Sequence, residues 1–257
     1  MSKLFNPARF GKLFIKHTTE HYKSYLMALG VLIGVMVLGG SFLVYMINAP
    51  LDRVAQSALF VIILLLAGTI YTSTIFSDVG DKKKAIAYLT LPASHFEKWL
   101  VAWVYSFLAF LVIYTTSFYL VALFLLNIKH VPGQAEGVIN LLQKPHLEMV
   151  LVYAFLHSIA FLGAAYFNKL HFIKTAFVFF VIMGLLILFN KIVLTTMIGR
   201  NVDAAPPFGN LRFPDNGREV DITLPDAGHN PILLYLIMVL TLLIWIAAYY
   251  RLKEKQV

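Results

Sequence analysis

The sequence predicts an all-α polytopic membrane protein with six transmembrane helices, and three observations support this fold class. Residues 25–47 form an uncharged run of twenty-three residues, whereas about 20 suffice to cross a hydrocarbon core of ~30 Å. Hydrophobic residues make up 60% of the 257 residues and charged residues 13%, against about 25% charged in soluble domains. Lysine and arginine also concentrate in alternate connections between apolar runs, as membrane topology requires. We therefore expect one transmembrane domain, residues 1–257.

Six apolar runs define the predicted spans. The first 24 residues lack the small-residue cleavage pattern of a secretory signal, so the first span is expected to stay in the protein. Six spans place both termini on the same side of the membrane. By apolar run length, the spans cover residues 25–47, 58–76, 99–127, 147–167, 175–189 or beyond, and 232–250.

The distribution of charge predicts which side faces the cytoplasm. The two tails, residues 77–98 and the turn at residues 169–174 together hold 14 of the 21 lysines and arginines and 5 of the 13 acidic residues. The other face holds 7 basic and 8 acidic residues. Because cytoplasmic loops are enriched in positive charge, both termini are expected in the cytoplasm. The net charge of +8 thus indicates topology, and we expect no nucleic-acid partner.

Residues 6–24 are predicted to form an amphipathic interfacial helix before the first span. Asn6 is a favourable N-cap, and Pro7 suits the first helical position, where its missing N–H costs nothing. Apolar residues at i, i+3 and i+4 and a basic opposite face are typical of a helix lying in the membrane interface. An ordinary basic membrane-proximal tail is the alternative. The two faces comprise Arg9, Phe10, Lys12, Leu13, Phe14 and Lys16.

The cytoplasmic loop at residues 78–98 contains two predicted helix starts. Ser94 and Glu97 have the spacing of a capping box, so a helix is expected to begin directly after Ser94 and continue into the third span. Pro92 disfavours helix in the residue before it. A separate short helix is therefore predicted at residues 82–90.

This short helix, at the tip of a loop between two spans, has the shape needed to dock into the groove of a partner protein. Its apolar side chains would anchor the contact and its lysines would set the orientation. The alternative is a helix resting on anionic lipid headgroups. The residues predicted to make the contact are Lys82, Lys83, Lys84, Ile86, Tyr88 and Leu89.

The stretch L-T-L-P-A-S-H-F-E-K, residues 89–98, together with the six-span plan and the N-terminal amphipathic helix, resembles the permease subunits of bacterial ABC transporters of the second exporter class. The Leu-Pro-Ala-Ser-x-x-Glu-Lys element is similar to a loop that recurs in one branch of these permeases. In that family the loop helix couples to a separate ATPase, and the N-terminal helix also contacts it.

The resemblance implies a permease subunit that forms the translocation path of an exporter in the bacterial cytoplasmic membrane. ATP and Mg²⁺ would be bound by the partner ATPase, with no cofactor in this chain. Two permease chains, identical or different, and two ATPases would form the working unit.

The outer connection at residues 199–231 departs from this family. The family often places short re-entrant helices there, and residues 192–198 are the candidate in this chain. After them, Leu211, Phe213, Val220, Ile222 and Leu224 alternate with polar residues around Pro-Asp-Asn-Gly. This pattern predicts a small extracytoplasmic β-hairpin.

Catalysis within the chain is not predicted. The phosphate-binding G-x-x-x-x-G-K-[ST] loop and the H-E-x-x-H metal motif are both absent from the sequence, and the chain has no cysteine. We therefore expect neither catalytic residues nor a metal site, and the chain is not expected to be an enzyme.

Two features within the spans have alternative interpretations. His157 is a polar residue that either lines the translocation path or makes a structural hydrogen bond to a neighbouring helix. Gly30 and Gly34 form a G-x-x-x-G pattern that allows close helix contact, within one subunit or between two.

The main functional alternative is a polytopic membrane protein without transport activity, either an assembly factor or a membrane-embedded enzyme. A secondary transporter is less well supported, because ion coupling usually depends on ionisable groups near mid-membrane and His157 is the single candidate. Co-purification with an ATPase would separate the exporter hypothesis from both.

Overall fold

The computed structural model describes residues 5–47, 51–80, 85–86, 90–128, 137–203, 205–207, 209–215, 218–222 and 231–254. Six helices in this part of the chain are long and apolar enough to cross a membrane, which confirms the predicted fold class at that level. The elements are α1 (Pro7–Ile47), α2 (Arg53–Thr74), α3 (Ser77–Gly80), α4 (His95–Trp103), a π-helix (Val104–Ala109), α5 (Phe110–Ile128), α6 (Lys144–Tyr166), α7 (His171–Ile198), β1 (Leu211–Asp215), β2 (Arg218–Ile222) and α8 (Pro231–Glu254).

The first helix differs from the sequence prediction of two separate elements. Residues 6–24 and the first span form one continuous helix, α1, of 41 residues. At 1.5 Å per residue α1 is about 60 Å long, roughly twice the hydrocarbon thickness. No proline or glycine between Lys12 and Leu29 interrupts it. Its start is as predicted, since the Asn6 side chain accepts a hydrogen bond from the amide of Ala8 at 3.0 Å.

The third span also begins where the capping box predicts. The Ser94 hydroxyl accepts a hydrogen bond from the Glu97 amide at 3.1 Å, and the Glu97 carboxylate accepts one from the Ser94 amide at 2.9 Å. From there α4, the π-helix and α5 run on without a break. The π-helix had no sequence signal, and such insertions often mark functional sites.

The predicted re-entrant helix at residues 192–198 is wrong. These residues are the last two turns of α7, and helix geometry ends only at Gly199, whose φ of 71° is left-handed. Glycine adopts this conformation without strain and commonly ends helices. No glycine or proline lies between Leu185 and Ile198, so nothing in the sequence interrupts the helix earlier.

Two short strands follow α7. β1 and β2 pair antiparallel, with Phe213 opposite Val220 and Arg212 opposite Asp221. The Arg212 guanidinium donates to the Asp221 carboxylate at 2.7 Å. Asn216, Gly217 and Leu224, which belonged to the predicted hairpin, lie outside the described residues.

The helices alternate in direction, which defines two ends of the bundle. The near end carries the starts of α1 and α4 and the end of α8, where Trp99 and Tyr249 lie 6.3 Å apart between ring centroids. The far end carries the starts of α2 and α6, where buried Gln56 accepts a hydrogen bond from the amide of Ile139 at 3.0 Å. The start of α1 and the end of α8 therefore both lie at the near end.

The space around the glycines distinguishes tightly packed helix faces from exposed ones. A Cβ added at Gly163 in α6 would overlap the Thr175 side chain of α7, so the two helices approach too closely there for a larger residue. Gly30 and Gly34 have nothing within 4 Å of such a Cβ. In the described part of the chain, no other helix therefore packs closely against the side on which these two glycines lack a Cβ.

Candidate functional site

A buried carboxylate joins α1 to α4 at the near end. One oxygen of Glu97 accepts hydrogen bonds from the Asn6 amide at 2.7 Å and from the Arg9 guanidinium at 2.9 and 3.2 Å. The other oxygen accepts the Ser94 amide described above. We call Asn6, Arg9, Ser94 and Glu97 the clasp. A single carboxylate thus links the starts of two helices.

The clasp is an ion pair with one buried partner. The Glu97 side chain is fully buried, and Arg9 keeps 34% of its side-chain surface exposed. Four donors and the Arg9 charge stabilise the ionised carboxylate, which offsets its loss of hydration. Removing one partner of a buried pair generally costs about 3–5 kcal/mol. The sequence identified Glu97 as a capping residue, but nothing in it indicated the partners on α1.

The apolar face of the predicted interfacial helix packs against protein. Leu13 is buried beside Val101 and Tyr105 of the third span, with Phe10 and Phe14 packed at the edge of this cluster. The rings of Phe14 and Tyr105 stack at 4.7 Å. The first half of α1 is therefore attached to the third span by side chains as well as by the clasp.

Polar contacts extend this attachment. The hydroxyl groups of Thr18 and Tyr105 are hydrogen-bonded to each other, and the Tyr25 hydroxyl is bonded to Nε2 of His17 at 2.7 Å. His21 lies 3.2 Å from the carboxylate of Asp78 in α3. The first residue of the loop, Asp78, is thereby joined to α1.

Most residues predicted to contact a partner lie outside the described part of the chain: Lys82, Lys83, Lys84, Tyr88 and Leu89. Ile86 is helical and 48% exposed. The Thr90 amide donates to the Ile86 carbonyl at 3.0 Å, a helical hydrogen bond. Leu91 then packs against the cluster around Leu13. The end of the loop is therefore anchored on α1, as its start is.

The basic residues of the predicted interfacial helix have different environments. Arg9 belongs to the clasp, Lys16 forms an ion pair with Glu20 at 3.6 Å, and Lys12 is exposed. At the other terminus, the Arg251 guanidinium of α8 lies 4.5 Å above the Tyr166 ring. The near end therefore combines basic side chains with aromatic rings.

His157 lies in the bundle interior with no exposed surface. The Ser106 hydroxyl donates its one proton to the carbonyl of Ala102 at 2.8 Å, so Nε2 of His157, 2.9 Å away, donates to that hydroxyl. Nδ1 accepts from the indole N–H of Trp245 at 3.1 Å. Both ring nitrogens are satisfied within the chain, which favours the structural interpretation of this residue over the path-lining one.

No protein-family model matches this chain, and neither a curated protein nor a solved structure is significantly similar to it. Function must therefore be inferred from the chain's own residues and contacts.

Proposed function

We propose that this chain is the transmembrane permease subunit of an ATP-binding-cassette exporter. It would lie in the bacterial cytoplasmic membrane with both termini in the cytoplasm, and a separate ATPase subunit would bind ATP and Mg²⁺. The observation that carries the proposal is the attachment of both ends of the loop at residues 78–98 to the first half of α1. Asp78 is held by His21, and Glu97 is held by Arg9.

This attachment has a mechanical consequence. A partner that pushes on residues 82–90 acts on a loop whose two ends are fixed to one long helix, because the clasp and the Leu13 cluster resist independent movement. The first and third spans would then move together with the loop. Such coupling of a distant ATPase to the membrane spans is what an ATP-driven exporter needs.

The stretch at residues 89–98 carries the family resemblance, and its described residues make contacts that hold the loop to the first and third spans. Leu91 packs against α1, Ser94 caps α4, and Glu97 forms the clasp, while Lys98 is buried next to it in sequence. These residues together build the joint between loop and span. The resemblance thus concerns the part of the chain that would transmit force.

A second permease chain is part of the proposal. None of the 28 residues of α7 is buried, and the Gly30–Gly34 face of α1 is open. Small residues allow close approach of helices in membranes, where packing replaces the hydrophobic effect. We propose that the open face of α1 contacts the second permease chain, and that α7 faces lipid or that chain.

The orientation follows from charge. The near end carries the basic tails, so the positive-inside tendency supports a cytoplasmic near end. β1 and β2 would then lie on the outer face as a small extracytoplasmic hairpin. The first half of α1, about 30 Å of helix beyond the apolar segment, would lie at the cytoplasmic surface and contribute to the ATPase contact.

The proposal is tested by whether an ATPase subunit co-purifies with the chain. Changing Tyr88→Asp together with Leu89→Asp should abolish co-purification of the ATPase or uncouple its hydrolysis from transport, because a buried charge replaces an apolar anchor. Changing Lys82, Lys83 and Lys84 to glutamine should have a milder, salt-dependent effect, since rim charges act mainly on association rate.

The control for this comparison is Lys144→Gln, a charge removal at an exposed residue of the far end, away from the proposed ATPase contact. Retained ATPase and vanadate-sensitive hydrolysis in the double aspartate variant would remove the coupling assignment. A larger effect of the glutamine changes than of the aspartate changes would indicate contact with lipid headgroups instead. Purification without any ATPase would favour the non-transport alternative.

A further inference from the structure

Two histidines on one face of α1 lie where the first half of this helix meets the start of the loop and the third span. His17 and His21 are four positions apart, and their ring centroids lie 4.7 Å from each other. The His17 ring also lies 4.7 Å from the ring of Tyr105 in the π-helix. Both histidines line a pocket of about 30 Å³, which has room for about one water molecule. We call His17, His21, Tyr25, Asp78 and Tyr105 the histidine cluster.

The two histidines have unequal surroundings. The Asp78 carboxylate lies 3.2 Å from Nε2 of His21, so a proton on His21 forms an ion pair. Nε2 of His17 is instead hydrogen-bonded to the neutral Tyr25 hydroxyl at 2.7 Å, and its ring packs against Tyr105. A proton on His17 would therefore place a second positive charge beside His21, on a ring that has lost part of its hydration.

The position of His17 determines how its contact responds to pH. His17 lies outside the apolar segment that begins at residue 25. Burial, and after it the neighbouring His21, lower the pKa of His17 from 6.5 to about 4, against an opposing effect of Asp78. When α1 leaves the third span, the ring is hydrated and its pKa returns to about 6.5.

The sign of the effect follows from the two states. The detached state binds a proton that the attached state does not, so attachment weakens as the pH falls from about 6.5 towards about 4. Above about pH 7 the His17 ring is neutral in both states, and pH has no effect through this residue.

Among the titratable groups around the cluster, only His21 is of a type that ordinarily titrates between pH 5 and pH 7.5. Its proton acts in the opposite sense at the start of the loop, because it strengthens the contact with Asp78. The groups that face His17 or its neighbours in the described part of the chain are Lys16, Glu20, His21 and Tyr25 of α1, Tyr71 of α2, Asp78 of α3, and Lys98 and Tyr105 of the third span.

We propose that the histidine cluster is a proton-sensitive contact, through which acidification releases the first half of α1 from the third span around His17. The clasp stays closed, because its donors and the charge of Arg9 stabilise ionised Glu97. Acid thus loosens the middle of this segment while its start remains attached. The inference does not depend on the proposed transport function, because no ATPase takes part in the contact.

Native-state hydrogen exchange of the full-length protein in lipid nanodiscs, at pH 7.5 and pH 5, tests the proposal. Rates are corrected for the intrinsic effect of pH on amide exchange. The amides of residues 12–20 should exchange roughly 20-fold faster at pH 5, because proton uptake by His17 favours the detached state by about that factor.

Three variants locate the titrating group. His17→Gln removes the titration and keeps a side chain that can hydrogen-bond to Tyr25, so the ratio of the two rates should fall close to one. His21→Gln should keep most of the ratio, because burial lowers the pKa of His17 more than His21 does. His95→Gln is the matched control, the same change at a partly buried histidine of the near end in α4, and should leave the ratio unchanged.

A second measurement needs no variant. Exchange of the imidazole C2 hydrogen, followed by mass spectrometry, gives the titration midpoint of His17 in the wild-type chain, which we expect well below 6.5. A midpoint near 6.5, pH-independent amide exchange in the wild type, or an unchanged ratio in His17→Gln would overturn the proposal. Loss of the ratio in His21→Gln but not in His17→Gln would assign the titration to the Asp78 contact, and the proposal would be wrong.

Discussion

Replacing Arg9 with glutamine removes the two hydrogen bonds, at 2.9 and 3.2 Å, that its guanidinium donates to the buried Glu97 carboxylate. Loss of one partner of a buried ion pair costs about 3–5 kcal/mol. Because the Arg9 side chain is 34% exposed, water can solvate part of the vacated site. We therefore expect the variant to lose about 2 kcal/mol, below the range for a fully buried pair.

Native-state hydrogen exchange measures this loss locally, because helix ends open without global unfolding. The amides of Asn6 and of residues 8–12 in the Arg9→Gln variant should exchange roughly 30-fold faster, since about 1.4 kcal/mol corresponds to a factor of ten. Lys12→Gln, an exposed change in the same helix, should alter the opening free energy by less than about 0.5 kcal/mol.

A double-mutant cycle separates the ion pair from other effects. Glu97→Gln combined with Arg9→Gln should cost less than the sum of the single changes, by about 1 kcal/mol or more, because each single variant already breaks the same interaction. Strictly additive losses, or wild-type exchange in Arg9→Gln, would refute the assignment of the clasp as the joint between α1 and α4.

Two further predictions concern the bundle interior and its orientation. His157→Leu leaves the Trp245 indole N–H without its acceptor and should cost about 1–3 kcal/mol, seen as a lower melting temperature in detergent; unchanged melting with reduced transport would restore the path-lining interpretation. Because the chain has no cysteine, single cysteines at exposed positions should react with membrane-impermeant reagent from one side only, and labelling of near-end and far-end positions from the same side would exclude the proposed topology. The near-end positions are Lys12 and Lys253, and the positions expected on the opposite side are Lys144 and Glu219.

Local signals in the sequence predicted the starts of α1 and α4. The Asn6 cap and the Ser94–Glu97 capping box involve residues within three positions of each other, so their geometry is set before any tertiary contact forms. Helix ends were predicted less well. Apolar run length suggested a boundary near residue 24, and the family resemblance suggested a separate element at residues 192–198. A change in polarity, however, does not stop a helix. The backbone of α7 stops at Gly199.

The sequence by itself determined the six apolar helices, because the length of an apolar run relative to bilayer thickness is a local property. Only the tertiary structure decided which side chains meet. Glu97 contacts Arg9 from 88 residues away, and His157 contacts Trp245 from the same separation. Apolar residues occur on every side of α6 and α8, so helical periodicity does not mark the buried faces of these two helices. Both Gly163 and Gly30 lie in apolar spans. Only the packing of the helices places Thr175 against Gly163 and leaves no neighbouring atom within 4 Å of a Cβ at Gly30.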